Sequence, residues 1–96
     1  MIGIGGVFTE VLDDVVFVRA PATKESVLAA LGRMRSQKIL NGYRGQRAVN
    51  RDAIADVAVK LSGILAGNPS ITEVDLNPVI AFPDRAVIVD ALIKVE

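Results

Sequence analysis

Residues 71–93 constrain the fold more than any other part of the chain. Two apolar, β-branched runs, Ile71 to Ala81 and Ala86 to Ile93, are joined only by Phe82-Pro83-Asp84-Arg85. So short a link cannot carry the crossover that parallel strands need, so the runs must pair as an antiparallel hairpin. Side chains alternate with period two along a strand. That predicts Val74, Leu76 and Ile80 on one face and Glu73, Asp75 and Asn77 on the other. A turn centred on Pro83-Asp84 sets Asn77 opposite Asp90, with Asp75 two positions away on the same face. Asp90 is the odd residue of an otherwise apolar run, Val87 to Ile93. A carboxylate there is costly unless paired, solvated at an edge or bound to a cation. Asp75, Asn77 and Asp90 offer only oxygen donors, which suit a hard cation, Mg²⁺ above all, shared with substrate phosphates. The competing reading is a solvent-facing polar strip with an Asp–Asn hydrogen bond.

The remaining elements follow from local patterns. Val7 to Leu12 and Val15 to Val18 read as strands joined across Asp13-Asp14. Thr23 is placed to cap a helix carrying Val27, Leu28, Leu31 and Met34, which fades near Gln37. Ile39 to Val49 reads as a loop. Asn50 then caps a second helix, with Ile54, Val57, Ala58, Leu61 and Leu65 as its apolar stripe and Gly67-Asn68-Pro69 as its stop. The predicted order is ββααββ. The predicted fold is α/β of the two-layer α+β kind: a largely antiparallel four-stranded sheet with both helices on one face through Val27/Leu31 and Val57/Leu61. Residues 1–96 are expected to form a single domain.

Composition removes whole classes of function. The 96 residues contain no Cys and no His. Disulfide scaffolds, thiolate or imidazole metal sites and Ser-His-Asp or Cys-His nucleophiles are therefore excluded from this chain. No residue is a credible catalytic nucleophile. Net charge is zero and aromatics are 4%, which argues against nucleic-acid binding. No run reaches the roughly 18 apolar residues of a membrane span, and the N-terminus lacks a basic signal-peptide region. A soluble, cytoplasmic domain is expected. Charge is nonetheless segregated: Arg33, Arg35, Lys38, Arg44, Arg47 and Arg51 fall in a stretch without an acid. That stretch is either solvated surface or a patch for a polyanion such as a nucleotide or coenzyme A.

Three further features can carry chemistry. Gly3-Ile4-Gly5-Gly6 permits close backbone approach to phosphate, although no helix follows it as in a P-loop. Glu10 lies on the first predicted strand as a ligand, a base or an edge charge. Arg44, between Gly42 and Gly45, suits phosphate by its planar fork; a packed surface loop is the competing reading.

Four segments together resemble one family. Gly5-Gly6-Val7-Phe8-Thr9-Glu10 is similar to a Gly-Gly-Val-Phe-x-Glu segment of the ATP-grasp domain in NDP-forming acyl-CoA synthetases. That group includes ADP-forming acetyl-CoA synthetase and is related to the succinyl-CoA synthetase β subunit. Gly42-Tyr43-Arg44-Gly45, Glu73-Val74-Asp75-Leu76-Asn77-Pro78-Val79 and Val89-Asp90-Ala91 resemble three further motifs of that family, in order and over residues 3–93. The resemblance implies Mg²⁺ ligation by Asn77 and Asp90, with Asp75 at the neighbouring acidic position. It implies a nucleotide cleft built in part by Gly5, Gly6 and Glu10, with Arg44 among the nucleotide-binding residues, and ATP or ADP with Mg²⁺ as cofactors. The family's upstream lobe, its CoA-ligase domains and its phosphate-relaying His have no counterpart in these residues. The chain is thus expected to be the C-terminal part of an ATP-grasp domain, inactive alone. Its expected partners are a nucleotide and the missing lobe or a CoA-ligase subunit, with a homodimer as a corollary. The rival expectation is a non-catalytic binding or assembly module. A weaker one is a lysine acetyltransferase or regulatory protein carrying the domain by fusion.

Overall fold

The computed structural model describes residues 1–5 and 14–96. The elements in chain order are β1 (Ile2–Gly3), β2 (Val15–Val16), α1 (Lys24–Gly32), α2 (Gln37–Asn41), α3 (Arg51–Gly67), β3 (Ile71–Leu76), β4 (Val79–Ala81), β5 (Ala86–Ile88) and β6 (Ala91–Val95). The result is a small α+β fold with short antiparallel strands.

Helix α1 starts where its cap dictates. The Thr23 hydroxyl accepts from the Ser26 amide at 3.1 Å, and the Ser26 hydroxyl accepts from the Thr23 amide at 3.1 Å. This reciprocal pair satisfies two donors that would otherwise be orphaned. Val27, Ala30 and Leu31 are buried along the helix, and Met34 just beyond it. They form the core with Val16, Leu40 and Ala55. The Asn50 side chain accepts from the Ala53 amide and caps α3 at 2.9 Å.

The apolar stripe of α3 is rotated from the expected one. Its buried residues are Ala55 and Ser62, while Val57 and Leu61 are only half-buried. Small Ala55 lies in the same core cluster as Ala30 of α1. Ser62 is tolerated there because its hydroxyl is fully used. It accepts from the Ala22 amide and donates to the Val59 carbonyl, both at 2.9 Å.

The segment read as a loop from Ile39 contains a third helix, α2, whose Leu40 is buried. Its N-terminus is served by Asp14. That carboxylate accepts from the amides of Arg35 at 2.9 Å and Ser36 at 2.7 Å. The Gln37 amide group donates to the carbonyls of Leu31 and Met34, closing the end of α1. Arg51 donates to Gln37 and Asn41, tying α2 to the start of α3.

Strand pairing corrects the four-stranded sheet. Among the described residues the strands form three antiparallel pairs: β1–β2, β3–β6 and β4–β5. Val15–Val16 pairs with Ile2–Gly3; the expected strand at 7–12 and its turn at Asp13 lie outside the described residues. The C-terminal hairpin has the expected register: Asp75 faces Leu92, Leu76 faces Ala91, and Val79 faces Ile88. The turn closes with the Phe82 amide donating to the Arg85 carbonyl at 2.7 Å. Each expected long strand is divided in two near Pro78, which has no N–H to give to the ladder. The strip between still pairs, through Asn77 N–H to the Asp90 carbonyl and Val89 N–H to the Pro78 carbonyl. The phase of burial slips at this interruption. Val74 and Leu76 are half-buried as expected, but beyond Pro78 the half-buried residues are Val79 and Ala81, and Ile80 is exposed.

Candidate functional site

The hairpin positions three of the expected site residues. Asn77 and Asp90 face each other at the interruption, their backbones joined by a 3.2 Å hydrogen bond. Asp75 lies two residues before Asn77 on β3, opposite Leu92. All three are exposed. The side chains of Asp75 and Asn77 make no hydrogen bond or ion pair among the described residues. Asp90 uses one carboxylate oxygen, Oδ1, to accept from the Ala91 amide at 2.9 Å. The Asp–Asn side-chain hydrogen bond of the competing reading is therefore not formed, although the strip is solvent-facing as that reading has it. Glu73, next along the face, is engaged by Lys94 at 3.6 Å.

The strip thus presents two carboxylates and a carboxamide toward solvent with oxygen atoms uncommitted. That donor set fits a hard cation that retains waters and phosphate oxygens in its shell. Among the described residues, no three His, Cys, Asp or Glu side chains gather into a metal-holding group. Any metal here must therefore draw on Asn77 and on ligand oxygens as well as the two aspartates.

The other expected residues are dispersed. Gly5 is exposed, and, its chain neighbours aside, no described residue lies within 4 Å of where its Cβ would stand. Gly6 and Glu10 lie outside the described residues. Arg44 sits in the α2–α3 connection with its guanidinium over the Tyr43 ring, 5.3 Å from the centroid. The end of that connection reaches the hairpin tip, where the Asn50 amide donates to the Phe82 carbonyl at 2.8 Å.

Sequence reasoning passed over Asp14, the buried carboxylate of this region. In the sequence it is only half of an Asp-Asp pair at a turn. Hydrogen bonds from the Ser36 side chain, then from the Arg35 amide, hold its pKa below the ordinary carboxylate value. Its partners are structural, so it positions the α1–α2 corner and is not a reacting group.

A family model for the ATP-grasp domain matches residues 1–95. The chain belongs to the ATP-grasp family. Its relatives are ADP-forming acyl-CoA synthetases. It is 44% identical over 91 residues to the β subunit of acetate–CoA ligase (ADP-forming) I of Pyrococcus furiosus, covering 95% of this chain and 39% of that subunit. It is 39% identical over 90 residues to acetate–CoA ligase (ADP-forming) I of Archaeoglobus fulgidus, covering 94% of this chain and 13% of that protein. Among solved structures, the dinucleotide-forming acetyl-coenzyme A synthetase 1 of Ca. Korarchaeum cryptofilum, in complex with coenzyme A and Ca-AMPCP, superposes with a TM-score of 0.91 at 38% identity. That match covers 98% of this chain and 41% of that one. Another structure of the same enzyme holds Mg-AMPPCP, its phosphohistidine segment pointing towards the nucleotide binding site. This ATP-grasp chain therefore spans less than half the length of the relatives it matches. None of its helices among the described residues is long and apolar enough to cross a membrane.

Proposed function

We propose that this chain is the C-terminal part of an ATP-grasp domain that holds Mg²⁺-nucleotide phosphates in an ADP-forming acyl-CoA synthetase. The overall reaction would interconvert acyl-CoA, ADP and phosphate with a carboxylate, CoA and ATP. Asn77 and Asp90 would hold the metal, with Asp75 beside them. Gly5, Gly6 and Glu10 would border the nucleotide, and Arg44 would contribute to nucleotide binding. Mg²⁺ bound there would supply neutralisation of phosphate charge. The chain's own part is to orient the phosphates. It has no His, so a phosphohistidine like that of the Korarchaeum enzyme must be presented by another segment or subunit. The chain alone would then be inactive. The observation that carries the reading is the register that opposes Asn77 and Asp90 on an exposed strip with oxygens uncommitted.

The test is an amide NMR titration with Mg²⁺·ADP. Saturable shifts are expected at Asn77, Asp90 and residues 3–6, and they should vanish in an Asn77→Ala/Asp90→Ala variant whose remaining spectrum is unchanged. Silence at those residues, or equal binding by the variant, overturns the assignment.

A second reading, a non-catalytic assembly module, draws on one observation. The face of β6 that carries Ile93 is apolar and open, with Ile93 56% exposed, whereas the Leu92 face holds Lys94 and the polar strip. Val89 and Val95 continue the open apolar surface. Surface of this kind marks a contact with another protein body. For the 96 residues by themselves, a second copy is the available cover. Light scattering should then show mass rising with concentration, and Ile93→Lys/Val95→Lys should restore a monomer. A monomer at every concentration removes the homodimer.

A further inference from the structure

The basic residues of the chain divide into two groups. Lys24 lies near Asp52 and Asp56, Arg85 pairs with Asp84, Lys94 with Glu73, and Arg35 approaches Asp14. Arg51 is held by Gln37 and Asn41. Arg33, Lys38, Arg44 and Arg47 form no ion pair among the described residues, and all four are exposed. They fall in a stretch with no acid between Glu25 and Asp52. Arg19 and Lys60 also form no ion pair among the described residues, but lie elsewhere in the chain.

The connection that carries Arg44 and Arg47 has a fixed and unusual path. Gly42, Arg44 and Gly45 have φ of 98°, 53° and 83°. Arg44 is the non-glycine residue with positive φ among the described residues, a conformation that persists only when its surroundings enforce it. They do. A Cβ on Gly42 would stand 2.5 Å from the Gln46 carbonyl oxygen, so the loop folds back onto its own start. Gln46 N–H donates to the Tyr43 carbonyl at 3.2 Å, and Val49 N–H to the Leu40 carbonyl at 3.0 Å. Within this frame the backbone N–H groups of Tyr43, Arg44, Gly45, Arg47 and Ala48 donate no hydrogen bond to the described protein. Tyr43 supports the Arg44 guanidinium from one side.

Amides around left-handed residues that donate to no described acceptor, on the same exposed loop as two guanidinium groups without an ion pair among the described residues, are donors of the kind that hold anions. We propose that the 42–48 loop is a phosphate-binding site, in which Arg44 and Arg47 grip the group through their planar forks and loop amides complete its shell. Lys38 adds charge from the first turn of α2. The guanidinium fork matches phosphate bidentately. Among the described residues no carboxylate pairs with Arg44 or Arg47, so this grip calls for no metal and is separate from the Asn77–Asp90 strip. It deepens the assignment of Arg44 to nucleotide binding and rests on the ATP-grasp reading only for the choice of phosphate over carboxylate.

The experiment is an amide NMR titration of the whole chain in EDTA with tripolyphosphate, and in separate arms with ADP, inorganic phosphate and citrate. Saturable shifts at Tyr43 to Ala48 are expected with tripolyphosphate. Arg44→Ala/Arg47→Ala should weaken binding about tenfold or more, as charge-assisted bonds are lost. Arg47→Ala alone, which leaves the backbone at residue 44 untouched, should weaken it less. Arg19→Ala/Lys60→Ala should leave it unchanged. Shifts with ADP identify a nucleotide as the source, and shifts with inorganic phosphate a lone phosphoryl group; either supports the site. Citrate binding as tightly as tripolyphosphate, shifts spread equally to Arg19 and Lys60, or equal affinity of the double variant overturns it. The Mg²⁺·ADP titration reads Asn77 and Asp90 instead. Failure there with the loop response intact removes only the metal strip, and the converse removes only this loop.

Discussion

Leu31→Ala is expected to cost about 2–5 kcal/mol of folding stability, the range for a buried Leu whose site collapses incompletely. Leu31 is 1% exposed and lies with Val27, Met34, Leu40 and Ala55 in the core cluster. Its loss would empty space where α1, α2 and α3 meet. A domain of this size has about 5–15 kcal/mol in total, so one methyl-bearing fork is a large fraction of the whole. The consequence extends to the 42–48 loop. The carbonyl of Leu31 accepts from Gln37, Gln37 accepts from Arg51, and Arg51 also holds Asn41 at the foot of the basic loop. Urea unfolding should show a lower midpoint with an unchanged slope. Leu92→Ala, on the exposed hairpin, should change the midpoint little. Equal effects of the two substitutions would mean that the core lies elsewhere.

What the sequence makes legible depends on how local its causes are. The hairpin register was readable because Pro83-Asp84 fixes the turn and alternation fixes the faces, so Asn77 and Asp90 meet as the spacing requires. The caps at Thr23 and Asn50 were readable for the same reason: donor and acceptor lie three residues apart. Helix α2 was not. Its own Ser36 supplies no side-chain cap, and the turn into it is fixed instead by Asp14, 22 positions before Ser36, which accepts from the Arg35 and Ser36 amides just ahead of the helix. The buried face of α3 was misread because Ser62 looks polar in a helical wheel. Its hydroxyl is satisfied by Ala22, 40 positions away, and by a carbonyl of its own helix. The slip at Pro78 had a visible cause, the missing N–H, but its effect on Ile80 depends on how the backbone resumes beyond it. The candidate strip follows the same division. Its opposing pair is a matter of register, whereas the commitment of Asp90 Oδ1 to the next amide is a local choice that spacing does not show.

Asp14 carries the strongest expected pH effect. It is the buried acid of the described residues, 5% exposed. Its carboxylate is held ionised first by the Ser36 side chain and then by the Arg35 amide, so its folded pKa lies below the ordinary value. A group depressed in this way contributes its full stabilisation above its unfolded pKa and loses it as pH falls through the folded one. The window therefore opens below about pH 4, where an unfolded aspartate takes up its proton. Asp14→Asn should remove this part of the acid dependence, so that its melting temperature falls less steeply than the wild type's on acidification. At neutral pH, Asp14→Ala should lower the melting temperature more than Asp52→Ala or Asp56→Ala. Those acids are exposed and only approach Lys24, an arrangement of small worth, whereas removing Asp14 leaves two helix-start amides without their acceptor. The geometry also predicts where the damage appears. Hydrogen exchange in the Asp14→Ala variant should quicken first at Arg35, Ser36 and the α2 amides, and only later in α3. Uniform quickening across the chain, or an acid dependence unchanged in Asp14→Asn, would assign the pH response to other carboxylates.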